Sequence, residues 1–268
     1  MGFVHQETPT PFTFTTELFF KKESLRRLQK NQLVGNMGVG HTRWATHGVP
    51  NEINAHPHTD CQNTIAVVHN GIIENFRELK RELESAGHQF LSETDTEVLP
   101  HLIESDNGSD LLQAVQGALG RVHGSYAIAV VSAKEPNRLI AARNGSPLVL
   151  GLGRDEFFIA SDVPAFLKHT NEVIYLEDGD IVDISNGSVR ISTLDGKRVQ
   201  RRPTKVTWDI SHVQKEGYPH FMIKEIMEQK ESLTRAINTD EEKLMKVAEA
   251  IKHAYGTYIV GCGTAGKV

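Results

Sequence analysis

Ile65-Ala66-Val67-Val68-His69-Asn70-Gly71 is a short apolar run that ends in a polar block and a glycine. Four consecutive apolar residues next to turn residues are typical of a buried strand. Apolar residues then recur at helical spacing until Gly87, at Ile72, Ile73, Phe76, Leu79 and Leu83. The stretch therefore predicts a strand, a turn at Asn70-Gly71 and a helix.

The Asn70-Gly71 pair has two interpretations. Asn-Gly is the strongest short-range signal for a hairpin turn, but a hairpin is followed by a second strand rather than by a helical period. Alternatively, the pair forms an oxyanion hole. The side-chain amide of Asn70 and the backbone N–H of Gly71 would then donate hydrogen bonds to the oxygen of an attacked amide carbonyl. The residues alone leave both interpretations open.

Two more blocks occur in the first hundred residues. In chain order, the first block is Gly40-His41-Thr42-Arg43-Trp44-Ala45-Thr46-His47-Gly48, the second is His69-Asn70-Gly71 and the third is Ser92-Glu93-Thr94-Asp95-Thr96. An isolated Arg43 would be a solvated surface charge, and Thr94-x-x-Glu97 is typical of a capping box, in which Asp95 would help to cap the next helix. As a pair, Arg43 and Asp95 suit a free amino acid, because one binds the α-carboxylate and the other the α-ammonium group.

A cluster of histidines suggests a function of a different class. His56, His58 and Asp60 have the spacing that opens the ligand set of some binuclear zinc hydrolases. A fuller version would have another histidine directly after Asp60, where this chain has Cys61. A zinc-dependent hydrolase is therefore one alternative function.

The rest of the chain changes from helices to strands and back to helices. Two helices are predicted through Val98, Leu99, Leu102 and Ile103 and through Leu111, Leu112, Val115 and Leu119, the second ending at Gly120. Seven short strands separated by Asn-Gly, Asp-Gly and Ser-Pro turns are predicted at Tyr126–Val131, Leu139–Ala142, Leu148–Leu150, Phe157–Ala160, Val173–Leu176, Ile181–Ile184 and Val189–Ser192.

The C-terminal part begins with a polar segment at about 201–217, after which helical spacing returns at Phe221–Met227 and Glu242–Tyr255. The last apolar strand runs into Gly261-Cys262-Gly263-Thr264-Ala265-Gly266. This glycine-rich turn fits a dinucleotide fingerprint, and with Thr264 it equally fits a cradle for a phosphate monoester. Both interpretations stay open on the residues alone.

Composition restricts the partners and the compartment. A net charge of -5 provides no long basic surface for nucleic acid, and no apolar run approaches the length of a membrane span. Cys61 and Cys262 form no CxxC motif and no even-numbered disulfide framework. We expect a cytoplasmic protein that binds neither nucleic acid nor membranes.

Taken together, the blocks resemble the glutamine:fructose-6-phosphate aminotransferase (isomerising) family over about residues 36 to 268. The stretches that carry the resemblance are Gly40–Gly48, Asn54–His58, Val67–Asn75, Ser92–Val98, Ala142–Leu148, Ile159–Asp162, His220–Gln229 and Gly261–Thr264.

This resemblance implies an α+β fold, the four-layer α/β/β/α glutaminase sandwich of the N-terminal-nucleophile class. A linker and the first strand of an α/β sugar-phosphate isomerase (SIS) domain would follow. The implied organisation is an atypical N-terminal segment (1–35), a glutaminase domain (36–210), linker helices (211–255) and the truncated start of the SIS domain (256–268).

The resemblance also implies a reaction, the transfer of the amide nitrogen of glutamine to fructose 6-phosphate to give glucosamine 6-phosphate. It requires no cofactor or metal, and the complete enzyme is expected to be a homodimer. Asn70 and Gly71 would form the oxyanion hole. The glutamine-binding residues would be Arg43, Trp44, Thr46, His47 and Asp95, and the sugar-phosphate-binding residues Gly263 and Thr264.

Residues 1 to about 30 depart from the family, which begins with a nucleophilic cysteine and an Arg-Gly-Tyr segment that this sequence lacks. We therefore expect an inactive fragment that carries the glutamine-binding half of the enzyme without its nucleophile. A degenerate domain that binds glutamine or a partner without catalysis is another alternative.

Overall fold

A computed structural model of the protein describes residues 37–42, 47–106, 110–207, 218, 220–237 and 240–256. The chain divides into two units at residue 210, and each is described by itself. The expectations for residues 1–35 and for the segment 256–268 fall on residues outside the described ranges, apart from Gly256. The assignment of domain identities to these ranges stays a prediction.

Among the described residues of the first unit, ten strands form two antiparallel sheets. The strands are β1 (His58–Thr59), β2 (Ile65–Ile73), β3 (Gly124–Ser132), β4 (Glu135–Asn144), β5 (Val149–Leu152), β6 (Phe157–Ala160), β7 (Glu172–Tyr175), β8 (Asp180–Ser185), β9 (Ser188–Thr193) and β10 (Thr204–Lys205). The first sheet has the order β1-β2-β3-β4-β8-β9, and the second has the order β10-β7-β5-β6.

Three helices cover one face of the first sheet: α1 (Phe76–Ser85), α2 (Val98–Ser105) and α3 (Leu111–Leu119). Because side chains alternate across a strand, Val67 of β2 packs in the helical core while Val68 packs toward the second sheet. Strand β2 is thus buried on both faces, which explains its continuous apolar run.

The outer face of the second sheet has a smaller core. Val149, Phe158 and Val173 of this sheet pack against Val163 and Phe166, which lie in and directly after a short 3₁₀ turn. The layers of the first unit are therefore helices, sheet, sheet and, within the described residues, this outer turn. The arrangement is an α+β sandwich.

The prediction of a strand, a turn and a helix after Ile65 was wrong in its boundaries. Strand β2 continues to Ile73, and Asn70 and Gly71 pair with Ala127 and Tyr126 of β3. Helix α1 begins only at Phe76, so Ile72 and Ile73 belong to the strand. The hairpin interpretation of Asn70-Gly71 was wrong as well. Two adjacent isoleucines fit either period, and the nine-residue pairing with β3 decides between them.

The other predictions of elements in this unit are confirmed. Helices α2 and α3 cover the predicted apolar positions, and Asp110 caps α3 by accepting a hydrogen bond from the backbone N–H of Gln113. All seven predicted segments from Tyr126 to Ser192 are strands, β3 to β9. Turn residues and short apolar runs locate such antiparallel strands because each turn type restricts the backbone locally.

The second unit contains α4 (Phe221–Ile237) and α5 (Glu241–His253), as the helical spacing predicted. Asp240 caps α5 through the backbone N–H of Glu242, and Lys252 and His253 lie in its last turn, where the helix dipole favours positive charge. In the described part of the chain, none of the helices combines the length and the apolar character that crossing a membrane requires.

Candidate functional site

The end of strand β2 is where this buried strand becomes accessible. Its first five residues are buried, Asn70 and Gly71 are half-buried, and Ile72 is 42% exposed. Gly71 has φ +134°, and a Cβ atom there would lie 2.1 Å from the backbone oxygen of Ser125. Only glycine fits this conformation and this close approach.

Asn70 is oriented by the first sequence block. Its Oδ1 lies 2.6 Å from Nε2 of His41, and the His41 ring stacks on His56 with ring centroids 4.3 Å apart. When His41 donates to Oδ1, the NH₂ group of Asn70 points to the opposite side of the amide and is available as a donor.

Asp95 is held on the same strand edge. Its Oδ2 accepts a hydrogen bond of 2.8 Å from the backbone N–H of Ile73, and the residue is buried. The backbone N–H of His69 points to this edge too, where it donates to Nδ1 of His56 at 3.2 Å. Because N–H directions alternate along a strand, we expect the N–H of Gly71 on this edge, between those of His69 and Ile73.

The first block and the loop after it pack against the third block. Nδ1 of His47 lies 3.6 Å from Oδ1 of Asp95. The buried side chain of Asn54 donates to the backbone oxygen of Val49 and to Oε2 of Glu93, and it accepts from the backbone N–H of Glu93. Three blocks that are separate in sequence therefore meet at the end of β2.

His69 lies beneath this edge as a neutral residue. Nδ1 contacts the hydroxyl oxygen of Thr96 at 2.8 Å, and the side chain is buried. Burial lowers the pKa of His69 to about 4, although the nearby Asp95 carboxylate acts in the opposite direction. The imidazole is thus uncharged at neutral pH and joins β2 to the third block as a structural contact.

The capping-box interpretation of Thr94-x-x-Glu97 was wrong. The Glu97 carboxylate accepts hydrogen bonds of 2.7 Å from the backbone N–H groups of Leu91 and Ser92 and from the Ser92 hydroxyl. Burial alone would raise the pKa of Glu97, but these bonds and the nearby His101 lower it to about 2. Asp95 does not cap α2, because its Oδ2 is bound to Ile73.

The zinc-hydrolase hypothesis was wrong too. Nδ1 of His56 accepts from His69, and Nε2 of His58 lies 3.0 Å from the Thr94 hydroxyl. The Asp60 carboxylate accepts from the backbone N–H groups of Thr64 and Ile65 and so shapes the turn before β2. Among the described residues, His56, His58 and Asp60 do not bring their ligand atoms around one point.

The remaining predicted site residues cannot be placed. Arg43, Trp44, Thr46, Gly263 and Thr264 lie outside the described residues. Sequence reasoning missed the positioning contacts of His41 and Asn54, although both residues belong to the blocks that carry the family resemblance. Their place in those blocks was the sequence signal that could have marked them as site residues.

Comparisons with known proteins indicate the class of domain that the chain contains. Residues 41–168 match the model of a glutamine amidotransferase domain. The chain is 51% identical over 235 residues to a glutamine–fructose-6-phosphate aminotransferase (isomerising) from Methanothermobacter thermautotrophicus, covering 87% of this chain and 40% of that protein. It is 49% identical over 237 residues to the protein of the same name from Thermococcus kodakarensis, covering 87% and 39%.

A solved glutamine phosphoribosylpyrophosphate amidotransferase from B. subtilis, complexed with ADP and GMP, superposes with a TM-score of 0.54 and 27% identity. The superposition covers 62% of this chain and 37% of that one. The predicted fold, the α+β sandwich of the N-terminal-nucleophile amidotransferases, is confirmed. The chain spans 40% and 39% of the length of the two curated relatives. The chain carries a glutamine amidotransferase domain, and over 87% of its length it is similar to the glutamine–fructose-6-phosphate aminotransferases.

Proposed function

We propose that this chain binds L-glutamine and stabilises the oxyanion formed at its side-chain amide. In the complete enzyme, the released nitrogen would be transferred to fructose 6-phosphate to give glucosamine 6-phosphate. The names of the relatives support this reaction. A cytoplasmic location and a homodimer of the complete enzyme remain predictions.

The observation that carries the proposal is the position of Asp95 relative to Gly71. The carboxylate is bound at Ile73, two residues beyond Gly71 on one strand edge. Two residues along a strand span about 7 Å. An amino acid the size of glutamine can place its α-ammonium group at the carboxylate and its amide at the donors of Asn70 and Gly71 across such a distance.

Each residue then has a defined task. Asp95 binds the α-ammonium group and Arg43 the α-carboxylate, which together select a zwitterion. The amide of Asn70 and the N–H of Gly71 stabilise the negative charge that develops when the amide carbonyl is attacked.

His47, beside Asp95, completes the pocket with Trp44 and Thr46, and Trp44 gates the passage of ammonia. Gly263 and Thr264 begin the sugar-phosphate cradle.

Cys61 does not serve as the nucleophile in this proposal. In the family, an N-terminal cysteine attacks the amide, and its own α-amino group takes the thiol proton, because an α-amine has a pKa near 8. Cys61 lies instead beside His88 and His101, where burial, and to a smaller degree Glu104, raise the pKa of its thiol. We therefore expect these 268 residues alone to release no ammonia from glutamine.

Calorimetric titration of the chain with L-glutamine tests the proposal. Asp95→Asn keeps an oxygen that can accept from Ile73 but removes the charge. The loss of one charge-assisted contact, roughly 1.5 to 3 kcal/mol, should weaken binding about 10- to 100-fold. The exposed Asp155→Asn, in the hairpin between β5 and β6, is the matched control and should bind like the unmodified chain.

Two ligand controls complete the experiment. D-glutamine should bind much more weakly than L-glutamine, because its α-substituents cannot reach the carboxylate and the guanidinium together. Fructose 6-phosphate should not bind to this chain. Equal affinity of Asp95→Asn and the unmodified chain for L-glutamine would contradict the proposal. Measurable ammonia release would contradict the expectation that these residues lack a nucleophile.

A further inference from the structure

Four metal-ligating side chains meet away from the glutamine pocket. Cys61 lies in the turn between β1 and β2, and His88 follows α1. His101 and Glu104 lie three residues apart in α2 and therefore share one helix face. One ligand atom from each of the four residues can be chosen so that all four lie within 4.8 Å of one another. None of these residues takes part in the proposed glutamine chemistry.

Four of the six distances between these atoms are close to those of a tetrahedral site. Sγ of Cys61 lies 3.6 Å from Nδ1 of His88 and 3.5 Å from Nδ1 of His101. Oε2 of Glu104 lies 3.1 Å and 3.4 Å from the same two nitrogens. Zinc bonds of about 2.3 Å to sulfur and 2.0 Å to nitrogen or oxygen place tetrahedral ligands about 3.5 Å (S to N) and 3.3 Å (N to O) apart.

The surroundings of His101 provide a second, independent observation. Its Nε2 is buried and has no hydrogen-bond partner in the part of the chain that the structure describes. This nitrogen faces Oε1 of Glu97 at 3.9 Å. A metal on Nδ1 would fix the proton on Nε2, and a small rotation of the ring would let it donate to Glu97. Most histidine ligands donate their second ring N–H in this way, to a carboxylate, a backbone carbonyl or a water.

Charge balance favours a divalent cation here. A thiolate, a carboxylate and two neutral imidazoles carry a charge of -2, which a divalent ion neutralises. Mixed sulfur and nitrogen donors suit Zn²⁺, whereas Mg²⁺ and Ca²⁺ prefer oxygen ligands.

We propose that Cys61 Sγ, His88 Nδ1, His101 Nδ1 and Glu104 Oε2 bind one Zn²⁺ ion in a four-coordinate structural site. Four protein ligands leave no open position for a reacting water, which is the mark of a structural rather than a catalytic zinc. The ion links the turn before β2, the segment after α1 and helix α2. Binding therefore stabilises the folded chain.

The test is metal titration of the full chain after removal of bound metal, in the presence of a reductant that does not bind metals. Zn²⁺, added in competition with a chromophoric chelator, should bind with one equivalent per chain and raise the thermal unfolding midpoint. Co²⁺ should give the intense visible bands of a tetrahedral site together with a thiolate-to-cobalt charge-transfer band.

Variants assign the ligands. Cys61→Ser and His88→Ala change residues at the accessible side of the cluster, and circular dichroism checks that both fold. Each should weaken Zn²⁺ binding by about tenfold or more, and Cys61→Ser should abolish the charge-transfer band. The matched controls, Cys262→Ser at the only other cysteine and His169→Gln at an exposed histidine, should bind like the unmodified chain.

Two results would overturn the proposal. One is unchanged affinity in folded Cys61→Ser and His88→Ala, which would place the metal elsewhere. The other is no bound zinc at micromolar free Zn²⁺, which would leave only a hydrogen-bonded cluster around Glu104. Neither result bears on glutamine binding, so this site and the proposed function are tested independently.

Discussion

Gly71 illustrates how a single residue can be required twice, once for the fold and once for the proposed chemistry. A Cβ atom at this position would lie 2.1 Å and 2.7 Å from the backbone oxygen and carbon of Ser125. These backbone atoms of β3 are held by nine residues of strand pairing and cannot move aside without breaking it. The same residue offers the N–H that we propose for the oxyanion.

Gly71→Ala should therefore lower the free energy of unfolding by roughly 2 to 5 kcal/mol, through the clash and the positive φ together. Gly87→Ala is the matched control. Gly87 also has a positive φ, +99°, but nothing lies within 4 Å of its added Cβ, so strain alone should cost about 1 to 2 kcal/mol. Urea unfolding followed by circular dichroism measures both, and equal losses would exclude the clash with Ser125.

Residue types alone suggested part of the proposed site, and the roles of these residues stay predictions. Asp95 binds the N–H of Ile73, two residues beyond Gly71 in strand β2, as the proposed site requires. The orientation of Asn70 by His41 was not predictable, because a hydrogen bond across 29 residues leaves no local pattern. Sequence spacing misled at His56 and His58, whose nitrogens bond to other groups.

At the scale of the elements, strands β4, β8 and β9 share a buried carboxylate. Both oxygens of Asp183 in β8 accept hydrogen bonds of 3.0 Å from Nε and Nη2 of Arg138 in β4. Arg190 in β9 approaches the same carboxylate at 3.5 Å, but its side chain is 63% exposed. Two arginines thus contact one acid, one in a bidentate, largely buried geometry and the other in water.

Arg138→Ala should lower the free energy of unfolding by about 3 kcal/mol, because it leaves the buried Asp183 without its bidentate partner. Arg190→Ala should lower it by less than about 1 kcal/mol, since an exposed pair at this distance contributes little. The two variants remove the same side chain from the two strands that flank β8, so the difference reports burial together with the further contacts of Arg138 to Glu135 and Asp110. Guanidinium unfolding monitored by fluorescence gives both values, and similar losses would contradict this account.

The elements differ in how well the sequence predicts them. Strands β3 to β9 were predictable because glycine and asparagine turns interrupt short apolar runs, and these signals act within a few residues. The junction of β2 and α1 was not, since Ile72 and Ile73 satisfy both periods and the choice depends on pairing with β3. The proposed zinc cluster has no motif at all, because its ligands are spread over 43 residues.

At the scale of the whole molecule, the sandwich keeps titratable groups in its interior close to the accessible end of β2. His69 is buried between strand β2 and the third block, where it contacts the Thr96 hydroxyl and the Ser125 backbone oxygen. The charged or titratable groups that influence the pKa of His69 are Asp95 and His41, and Nδ1 of His56 accepts a hydrogen bond from its backbone N–H. Protonation of His69 is therefore unfavourable in the folded chain.

The consequence is a loss of stability in mild acid. The pKa of His69 is about 4 in the folded chain, whereas an unfolded histidine titrates near 6.5. Above pH 6.5 both states are neutral. Between pH 6.5 and 4 the unfolded chain gains a proton that the folded chain does not, so the free energy of unfolding falls as the pH falls, by roughly 3 kcal/mol from this residue.

Replacing His69 by Gln removes this titration while keeping a polar side chain that can bond to Thr96. Urea unfolding at a series of pH values from 7.5 to 4 should show a shallower slope for His69→Gln than for the unmodified chain, whatever its absolute stability. His169→Gln, at an exposed histidine, should leave the slope unchanged. Parallel slopes for His69→Gln and the unmodified chain would mean that His69 accepts a proton in the folded state, and that the end of β2 is more open to water than its burial indicates.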